Sequence, residues 1–249
     1  MKDLIESIIN RVIKENQLGG QTAYRAPLLG YAQAGDPLFQ QLKTAVGPGH
    51  LLPIDLLPEA RTVLAFFLPF TKELVKSNRE HPYVDRSWAL AYIESNALIS
   101  LCCEAIATAL SVQGMKAAWQ QPTHNFDPVQ LCSHWSHKHV AYVCGLGEFG
   151  LHHMLITPSG CAGRFGSLVI DLPLSPSPRQ TDQRCFFYAQ GKCLACVKKC
   201  PSRALTQDGL DKQKCYSYLL EVDSFYSDLG VCDACGKCAT CGPCAVIDG

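Results

Sequence analysis

The chain has 249 residues, of which 47% are hydrophobic and 18% are charged, and its formal net charge is zero. A chain of this length and composition can bury a sizeable core and form one or two domains. The neutral charge balance excludes a global positive field that would attract nucleic acid or anionic lipid.

Apolar residues recur at helical spacing between residues 2 and 16, which predicts an amphipathic helix with one side in the core. This stretch contains neither the apolar core of a signal peptide nor a twin-arginine pair. No uncharged apolar run approaches the roughly 18 residues of a membrane span. We therefore expect a cytoplasmic protein without membrane contact, in which clustered cysteines indicate metal binding or catalysis.

Two elements are predicted after a stretch rich in Gly, Pro and Gln. The apolar run Thr62–Leu68, which ends before a proline, predicts a strand buried on both faces. Residues 87–112 contain no proline and precede Gly114, which predicts the longest helix of the chain. Cys102 and Cys103 lie inside this helix and are expected to be small buried hydrophobic residues.

A second strand is predicted over Ser167–Asp171, and the proline-rich residues 172–178 after it favour neither a sheet nor a helix. We place a domain junction there. The predicted fold class is α/β (α+β), with an α/β domain over residues 1–178. A cysteine-rich domain that needs its cofactors to fold follows over residues 179–249.

Cysteine is concentrated at the end of the chain, where ten of the 15 cysteines lie within the last 65 residues. The ten are Cys185, Cys193, Cys196, Cys200, Cys215, Cys232, Cys235, Cys238, Cys241 and Cys244. The run Cys193-x2-Cys196-x3-Cys200-Pro201 resembles the cluster motif of bacterial-type ferredoxins. Two 4Fe-4S clusters need eight thiolates, so the tail can supply both clusters and leaves two cysteines over.

These cysteines have two alternative roles besides binding iron-sulfur clusters. A disulfide framework is typical of short secreted chains, which this chain is not. Zinc is the stronger alternative, since residues 232–244 repeat the C-x2-C spacing of zinc knuckles four times. Pro201 favours clusters, because a proline after the last cysteine belongs to the ferredoxin pattern.

Three segments carry a family resemblance. Cys144–Thr157 contains the pattern GLGxxG, and Gly163–Leu174 combines an apolar strand with the sequence Asp-Leu-Pro-Leu. Together with Cys215-Tyr-Ser-Tyr-Leu219, they resemble the motifs of the corrinoid-dependent iron-sulfur reductases, in the same order. That superfamily includes epoxyqueuosine reductase and the respiratory reductive dehalogenases, and the resemblance covers about residues 60–244.

The resemblance implies a nitroreductase-like α/β domain followed by a two-cluster bacterial ferredoxin-like domain. The first domain would hold a base-off corrinoid, cobalamin, against the nearer cluster, with close backbone approach at the glycine turn. The residues expected to contact it are Gly145, Leu146, Gly147, Gly150 and Arg164. The alternative for the three glycines is a tight turn at the start of a helix. A dinucleotide site is not favoured, because no buried strand precedes the turn.

The family pattern is incomplete at two places. The position of its first cluster cysteine is Gln190 here, so Cys185 must reach the cluster across an insertion, or another thiolate substitutes. The position of its catalytic aspartate is Leu131, which leaves Asp127 and Tyr142 as candidate catalytic residues that donate a proton.

The order of the cysteines suggests two ligand sets. Cys185, Cys193 and Cys196 would share one cluster with one of Cys238, Cys241 and Cys244, which the spacing leaves open. The other cluster would use Cys200, Cys215, Cys232 and Cys235.

Other cysteines and histidines near the motifs are weaker candidates. His134, His137 and His139 lack the carboxylate of a hydrolase motif and are expected at a pocket rim. Cys132, Cys144 and Cys161 lie near the proposed pocket, and none has a base partner in the sequence.

The resemblance thus implies an iron-sulfur oxidoreductase that takes electrons from reduced ferredoxin or flavodoxin. It would pass them through two 4Fe-4S clusters to the corrinoid, for reduction of a small substrate. A tRNA substrate is not expected, because epoxyqueuosine reductases continue into helical repeats that help bind tRNA. The alternatives are an electron-transfer or corrinoid-handling protein without substrate turnover, and a relative that uses a flavin.

Overall fold

The computed structural model describes residues 1–17 and 19–248. The helices are α1 (Lys2–Gln17), α2 (Pro37–Ala45), α3 (Pro53–Leu56), α4 (Lys72–Glu80), α5 (Arg86–Ser111), α6 (His137–Val143), α7 (Phe186–Gln190), α8 (Ala195–Lys199), α9 (Lys212–Phe225) and α10 (Lys237–Thr240). The strands are β1 (Leu28–Gln33), β2 (Thr62–Pro69), β3 (Ala117–Ala118), β4 (Phe126–Asp127), β5 (Cys132–Ser133), β6 (Glu148–Phe149), β7 (Leu155–Ile156) and β8 (Gly163–Ile170). The fold is therefore mixed α/β, as predicted.

An antiparallel sheet with strand order β1-β2-β8-β3 lies at the centre. All eight residues of β2 are buried, which confirms the predicted strand with two covered faces. Strand β8 begins at Gly163, four residues before the predicted start. Gly166 explains the extension, because a side chain there would collide with the ring of Phe66 on the neighbouring strand.

Successive residues of β2 point to opposite faces of the sheet, and each face has its own core. Leu64, Phe66 and Leu68 pack with apolar residues of α1 and α5. Val63, Ala65 and Phe67 pack on the other face with apolar residues of α2 and α6. The layers are thus helix, sheet and helix.

Helix α5 confirms the predicted long helix to within one residue at each end. The Asp85 side chain caps its start by accepting a hydrogen bond from the Ser87 amide at 2.7 Å. Cys102 and Cys103 are fully buried in it. By length and composition alone, α5 could also span a membrane, since one 18-residue window has a mean hydropathy of 1.4. In the structure, its buried face packs on the sheet and on α1.

No element is predicted between residues 18 and 50, yet β1 and α2 lie there. Strand β1 contains Gly30, where a Cβ atom would lie 2.4 Å from the Cys144 carbonyl oxygen, so this glycine allows α6 to approach the sheet. Helix α2 begins with an Asp36 cap and Pro37 in its first turn.

The cysteine-rich tail packs directly on the first part of the chain. Residues 173–185 contain no helix or strand, as the prolines predict. Beyond them, Val222 of α9 and Tyr226 directly after it are buried in the core that contains α5. The Cys161 amide also donates to the Cys244 carbonyl at 2.9 Å. The two predicted domains therefore share a core, and their nitroreductase-like and ferredoxin-like character stays a prediction.

Candidate metal centres and cofactor cavity

Four cysteines, Cys200, Cys215, Cys235 and Cys238, form a second thiol set at the junction of α8, α9 and α10. Burial raises the pKa of Cys238, and the thiolates of Cys235, Cys215, Cys241 and Cys200 add to the effect. Burial raises the pKa of Cys235 to about 11, again with Cys215 and Cys200 as neighbours. The four thiols are therefore electrostatic neighbours.

The loop before α10 explains how Cys235 and Cys238 reach this set. Gly236 between them has a φ of +69°, which favours glycine, and a Cβ atom there would lie 2.2 Å from the Trp88 ring. The Asn78 side chain also donates to the Cys235 carbonyl at 3.0 Å. Contacts with the first part of the chain thus fix this thiol pair.

Cys193, Cys196, Cys241 and Cys244 form a first thiol set between α8 and the end of the chain. Cys196, Cys244 and Cys193 are the thiolates that raise the pKa of Cys241, in addition to burial. Cys244, Cys185 and Cys193 do the same for Cys196, whose pKa is raised to about 11, chiefly by burial. Two C-x2-C pairs, one from each end of the tail, therefore face each other.

Cys232 and Cys185 are the two tail cysteines outside these sets. Cys232 lies in neither set: burial raises its pKa to about 11, and the charges that act on it are carboxylates and Arg86, not thiolates. Cys238 takes the position in the second set that the order of the cysteines suggests for Cys232. Cys185 is buried beside Cys196 and accepts a hydrogen bond from the Leu151 amide at 3.4 Å. The assignment of Cys185 to the first cluster across the insertion stays a prediction.

The spread of the sulfurs distinguishes the two sets from zinc sites. In a tetrahedral site with Zn–S bonds of about 2.3 Å, the sulfurs lie about 3.8 Å apart. Within residues 1–17 and 19–248, His152, Cys161 and Cys244 are the one group of three such ligands whose atoms all lie within 4.8 Å of one another. Among the described residues, no three sulfurs of either set all lie within 4.8 Å of one another, which agrees better with the larger body of a 4Fe-4S cube than with a zinc ion.

A cavity of about 450 Å³ adjoins the second thiol set. Cys215 and Tyr216 of α9 line one side of it, and Arg164 and Phe165 of β8 line another. Its volume falls in the range of about 300–1,000 Å³ that is typical of small-molecule and cofactor pockets. A ligand bound here would lie next to the Cys215 thiol.

Arg164 is the predicted cofactor contact that lines this cavity. Its guanidinium carbon lies 4.6 Å from the centre of the Tyr92 ring, and one of its nitrogens donates to Asn96 at 2.6 Å. Tyr92 in turn donates to Asp233 at 2.5 Å. Sequence reasoning missed Tyr92 and Asp233, because neither belongs to a motif and they lie 141 residues apart.

The glycine turn, residues 145–150, lies outside the lining of this cavity. Gly145 follows the end of α6 with a φ of +82°, and the amide of Leu146 donates to the Ala141 carbonyl at 3.0 Å. This is a Schellman motif at the end of a helix, not a turn at a helix start. A Cβ atom at Gly147 would lie 2.2 Å from the Ile156 carbonyl oxygen, and one at Gly150 would lie 2.7 Å from the Ile156 side chain. The turn therefore packs on protein, and among the described residues its glycines do not line the cavity.

Neither candidate proton donor lines the cavity. The exposed carboxylate of Asp127 accepts hydrogen bonds from the amides of Val129 and Gln130, which lower its pKa. A lowered pKa is the wrong direction for a general acid. The Tyr142 ring packs against Phe149 with a centroid distance of 5.8 Å.

His137, one of the three histidines in residues 134–139, lies in a hydrogen-bond network. His137 is buried at the cavity wall, with Nδ1 2.7 Å from the Ser167 hydroxyl and Nε2 3.2 Å from the Gln121 carbonyl. Trp135 donates to the same hydroxyl at 2.9 Å. Burial lowers the pKa of His137 to about 4, so its ring is neutral. Both ring nitrogens are engaged, which leaves none to bind a metal.

Comparisons with known proteins agree with the sequence resemblance. No protein-family model matches the chain. An epoxyqueuosine reductase of Aliivibrio fischeri is 35% identical over 82 residues, which cover 32% of this chain and 20% of that protein. A solved epoxyqueuosine reductase with a modified tRNA stem loop matches with a TM-score of 0.56 and 18% identity, over 97% of this chain and 66% of that one. A catabolic reductive dehalogenase matches with a TM-score of 0.61 and 17% identity, over 96% of this chain and 32% of that one.

The chain thus spans about two thirds of the solved epoxyqueuosine reductase and about a third of the dehalogenase. The sequence matches are local, whereas the structural matches extend over nearly all of this chain. The chain is therefore similar in sequence to epoxyqueuosine reductases over about a third of its length, and it has the fold of the solved epoxyqueuosine reductases and reductive dehalogenases.

Proposed function

We propose that this chain is a cytoplasmic iron-sulfur oxidoreductase in which two 4Fe-4S clusters pass electrons to a corrinoid bound in the cavity. One observation carries the proposal: Cys215 belongs to the second thiol set and also lines the cavity. An electron on that cluster would need no further protein relay to reach a ligand there. The eight thiols of the two sets match the need of two cubes.

The first set would receive the electrons. Cys193 is partly exposed, and the neighbouring Lys198 and Lys199 are exposed. A cationic surface beside a cluster suits an acidic electron carrier, so we propose reduced ferredoxin or flavodoxin as the donor. The sets are adjacent, since the Cys241 thiolate acts on Cys238.

The cavity has the chemistry that a corrinoid needs. Its walls include Phe126, Trp135 and Phe165, and its mouth is open to solvent, so a large macrocycle can lie with part of its body outside. The engaged ring of His137 supplies no cobalt ligand, in keeping with a base-off cofactor. When bound, a corrinoid supplies a reduced cobalt centre that transfers electrons to a substrate.

The chain's own residues would bind and orient the cofactor. Arg164 carries donors that its one bond to Asn96 does not use, and these can hold an anionic or amide group of the cofactor. Tyr216 lines the cavity next to Cys215, and its ring lies edge-on to Phe126 with a centroid distance of 5.8 Å. Its hydroxyl is a candidate to hold the proton that a reduced substrate takes up.

The substrate class has two candidates. The open mouth and the volume of the cavity suit a small molecule. A tRNA stem loop is the second candidate, because a relative of the same fold is solved with one. Turnover assays with each, using chemically reduced protein, decide between them.

Anaerobic reconstitution with iron and sulfide tests the cofactor. Titration with cobalamin should change the corrin absorption bands at micromolar protein, and Arg164→Met should weaken binding by about tenfold, the loss of roughly one charged hydrogen bond. The exposed Arg79→Met is the matched control. A parallel titration with FMN tests the flavin alternative. Cluster-loaded protein that leaves the corrin bands unchanged would disprove corrinoid binding and favour an electron-transfer role.

A further inference from the structure

Three side chains form a compact triangle beside the first thiol set. His152 Nε2 lies 3.4 Å from Cys244 Sγ and 3.5 Å from Cys161 Sγ. His152 is 4% exposed and Cys161 is fully buried. The triangle lies where β6, β7 and the start of β8 meet the end of the chain.

The dimensions of the triangle suit a zinc ion, for which the nitrogen–sulfur edge is about 3.6 Å, but the ring tautomer does not. The Met154 amide donates to His152 Nδ1 at 3.1 Å. Nδ1 is therefore an acceptor, and in the neutral ring the proton is on Nε2. A metal-binding histidine has the reverse arrangement, in which its second nitrogen donates. His152 therefore directs an N–H at the sulfurs.

Cys244 is the sulfur that receives this donor. The Cys161 thiol donates to the Ala239 carbonyl at 3.5 Å. Cys244 belongs to the first thiol set, and its sulfur is the nearer of the two to His152 Nε2. The amide of Cys161 also donates to the Cys244 carbonyl at 2.9 Å, which holds the two residues together.

We propose that His152 is a positioning residue for the first cluster, which donates its Nε2–H to the Cys244 sulfur and thereby raises the reduction potential of that cluster. This inference rests on the clusters of the proposed function but not on the corrinoid. A reduced cluster carries one more negative charge than an oxidised one, and a donor at a ligand sulfur stabilises that charge. Cys161 packs beside the same sulfur, since the three ligand atoms all lie within 4.8 Å of one another. The first cluster, at the exposed end of the electron relay, would therefore accept an electron more readily.

The test is a potentiometric titration of reconstituted protein, followed by the EPR signals of the two reduced clusters. His152→Leu removes the donor, and His152→Gln keeps an N–H. The leucine variant should show one of the two midpoint potentials shifted downward and the other unchanged, and the glutamine variant should lie closer to the native value. Cys161→Ala removes the neighbouring thiol, which donates to the Ala239 carbonyl, and should shift the potential less than His152→Leu does.

Two outcomes overturn the inference. Unchanged potentials in His152→Leu with full iron content mean that His152 does not act on a cluster. Full iron content in Cys244→Ala means that Cys244 is not a ligand. If His152→Leu does not fold, ESEEM spectra of native protein with ¹⁵N-labelled histidine provide the test, since they should show histidine nitrogen coupled to one reduced cluster and its absence disproves the bond. Protein without clusters would contain no acid-labile sulfide. This result distinguishes failure of the cluster proposal from failure of the inference about His152.

Discussion

Tyr92 of α5 donates a hydrogen bond to Asp233 at 2.5 Å and so joins the longest helix to the loop between Cys232 and Cys235. Arg164 lies over the Tyr92 ring on the same side of the cavity. The cavity wall is therefore built from the sheet, the long helix and the cysteine tail together. This arrangement makes the position of the second thiol set depend on the first part of the chain.

Tyr92→Phe should lower the free energy of unfolding by about 1–3 kcal/mol, because the partly buried Asp233 loses a hydrogen-bond donor. The same variant should weaken cofactor binding, since Arg164 is packed on this ring. Chemical denaturation and cobalamin titration measure the two effects. Tyr188→Phe on the exposed surface of α7 should change neither, and equal losses in both variants would contradict this role for Tyr92.

Cys238→Ala should lose one cluster and about half of the iron, because Cys238 completes the second thiol set. Cys232→Ala should keep all of the iron, since the charges that act most strongly on Cys232 are carboxylates and Arg86. Iron and sulfide analysis after anaerobic reconstitution measures both. The opposite result, iron lost from Cys232→Ala and kept by Cys238→Ala, would restore the ligand set that the sequence spacing suggests.

The tail shows why spacing alone does not assign these ligands. Residues 232–244 repeat C-x2-C four times, so several registers satisfy the same local geometry. The structure selects one through distant contacts, such as Gly236 against Trp88 and Asn78 on the Cys235 carbonyl. By contrast, β2 and α5 could be predicted, because a buried strand and a long helix have local patterns.

The cavity illustrates the same limit for the functional site. Arg164 and Cys215 could be predicted, because both lie in segments that carry the family resemblance. Tyr92 and Asp233 have no local signal and meet only in the folded chain. The glycine motif was conspicuous in sequence, but its conformational demands come from the end of α6 and from contact with Ile156.

Gly147→Ala should destabilise the protein by about 1–3 kcal/mol, because the added methyl group collides with the Ile156 carbonyl. Cofactor affinity of the folded fraction should change by less than about threefold, since this glycine packs on protein. Thermal unfolding and cobalamin titration separate the effects. A variant of native stability that has lost its cofactor would show instead that the turn contacts the cofactor.

Stability should depend on pH through His137. Its folded pKa of about 4 lies below the usual value of 6.5, so the unfolded chain binds more protons between these values. The folded state is therefore favoured as pH rises from about 4 to 6.5, with a contribution on the order of 3 kcal/mol for this one group.

His137→Gln should flatten the slope of the unfolding free energy in that window by up to one proton, while its amide can still donate to the Gln121 carbonyl. Urea titrations at several pH values measure the slope. The exposed His81→Gln is the control, and an unchanged slope in His137→Gln would mean that the native ring is charged.

The most direct test of the central claim is the absorption spectrum of anaerobically purified native protein, combined with analysis for iron, acid-labile sulfide, cobalt and zinc. Two clusters and a corrinoid predict about eight irons and eight sulfides per chain, together with cobalt and corrin bands. Zinc without sulfide would contradict the clusters. Full iron and sulfide without cobalt, in protein that also fails to bind added cobalamin, would contradict the corrinoid.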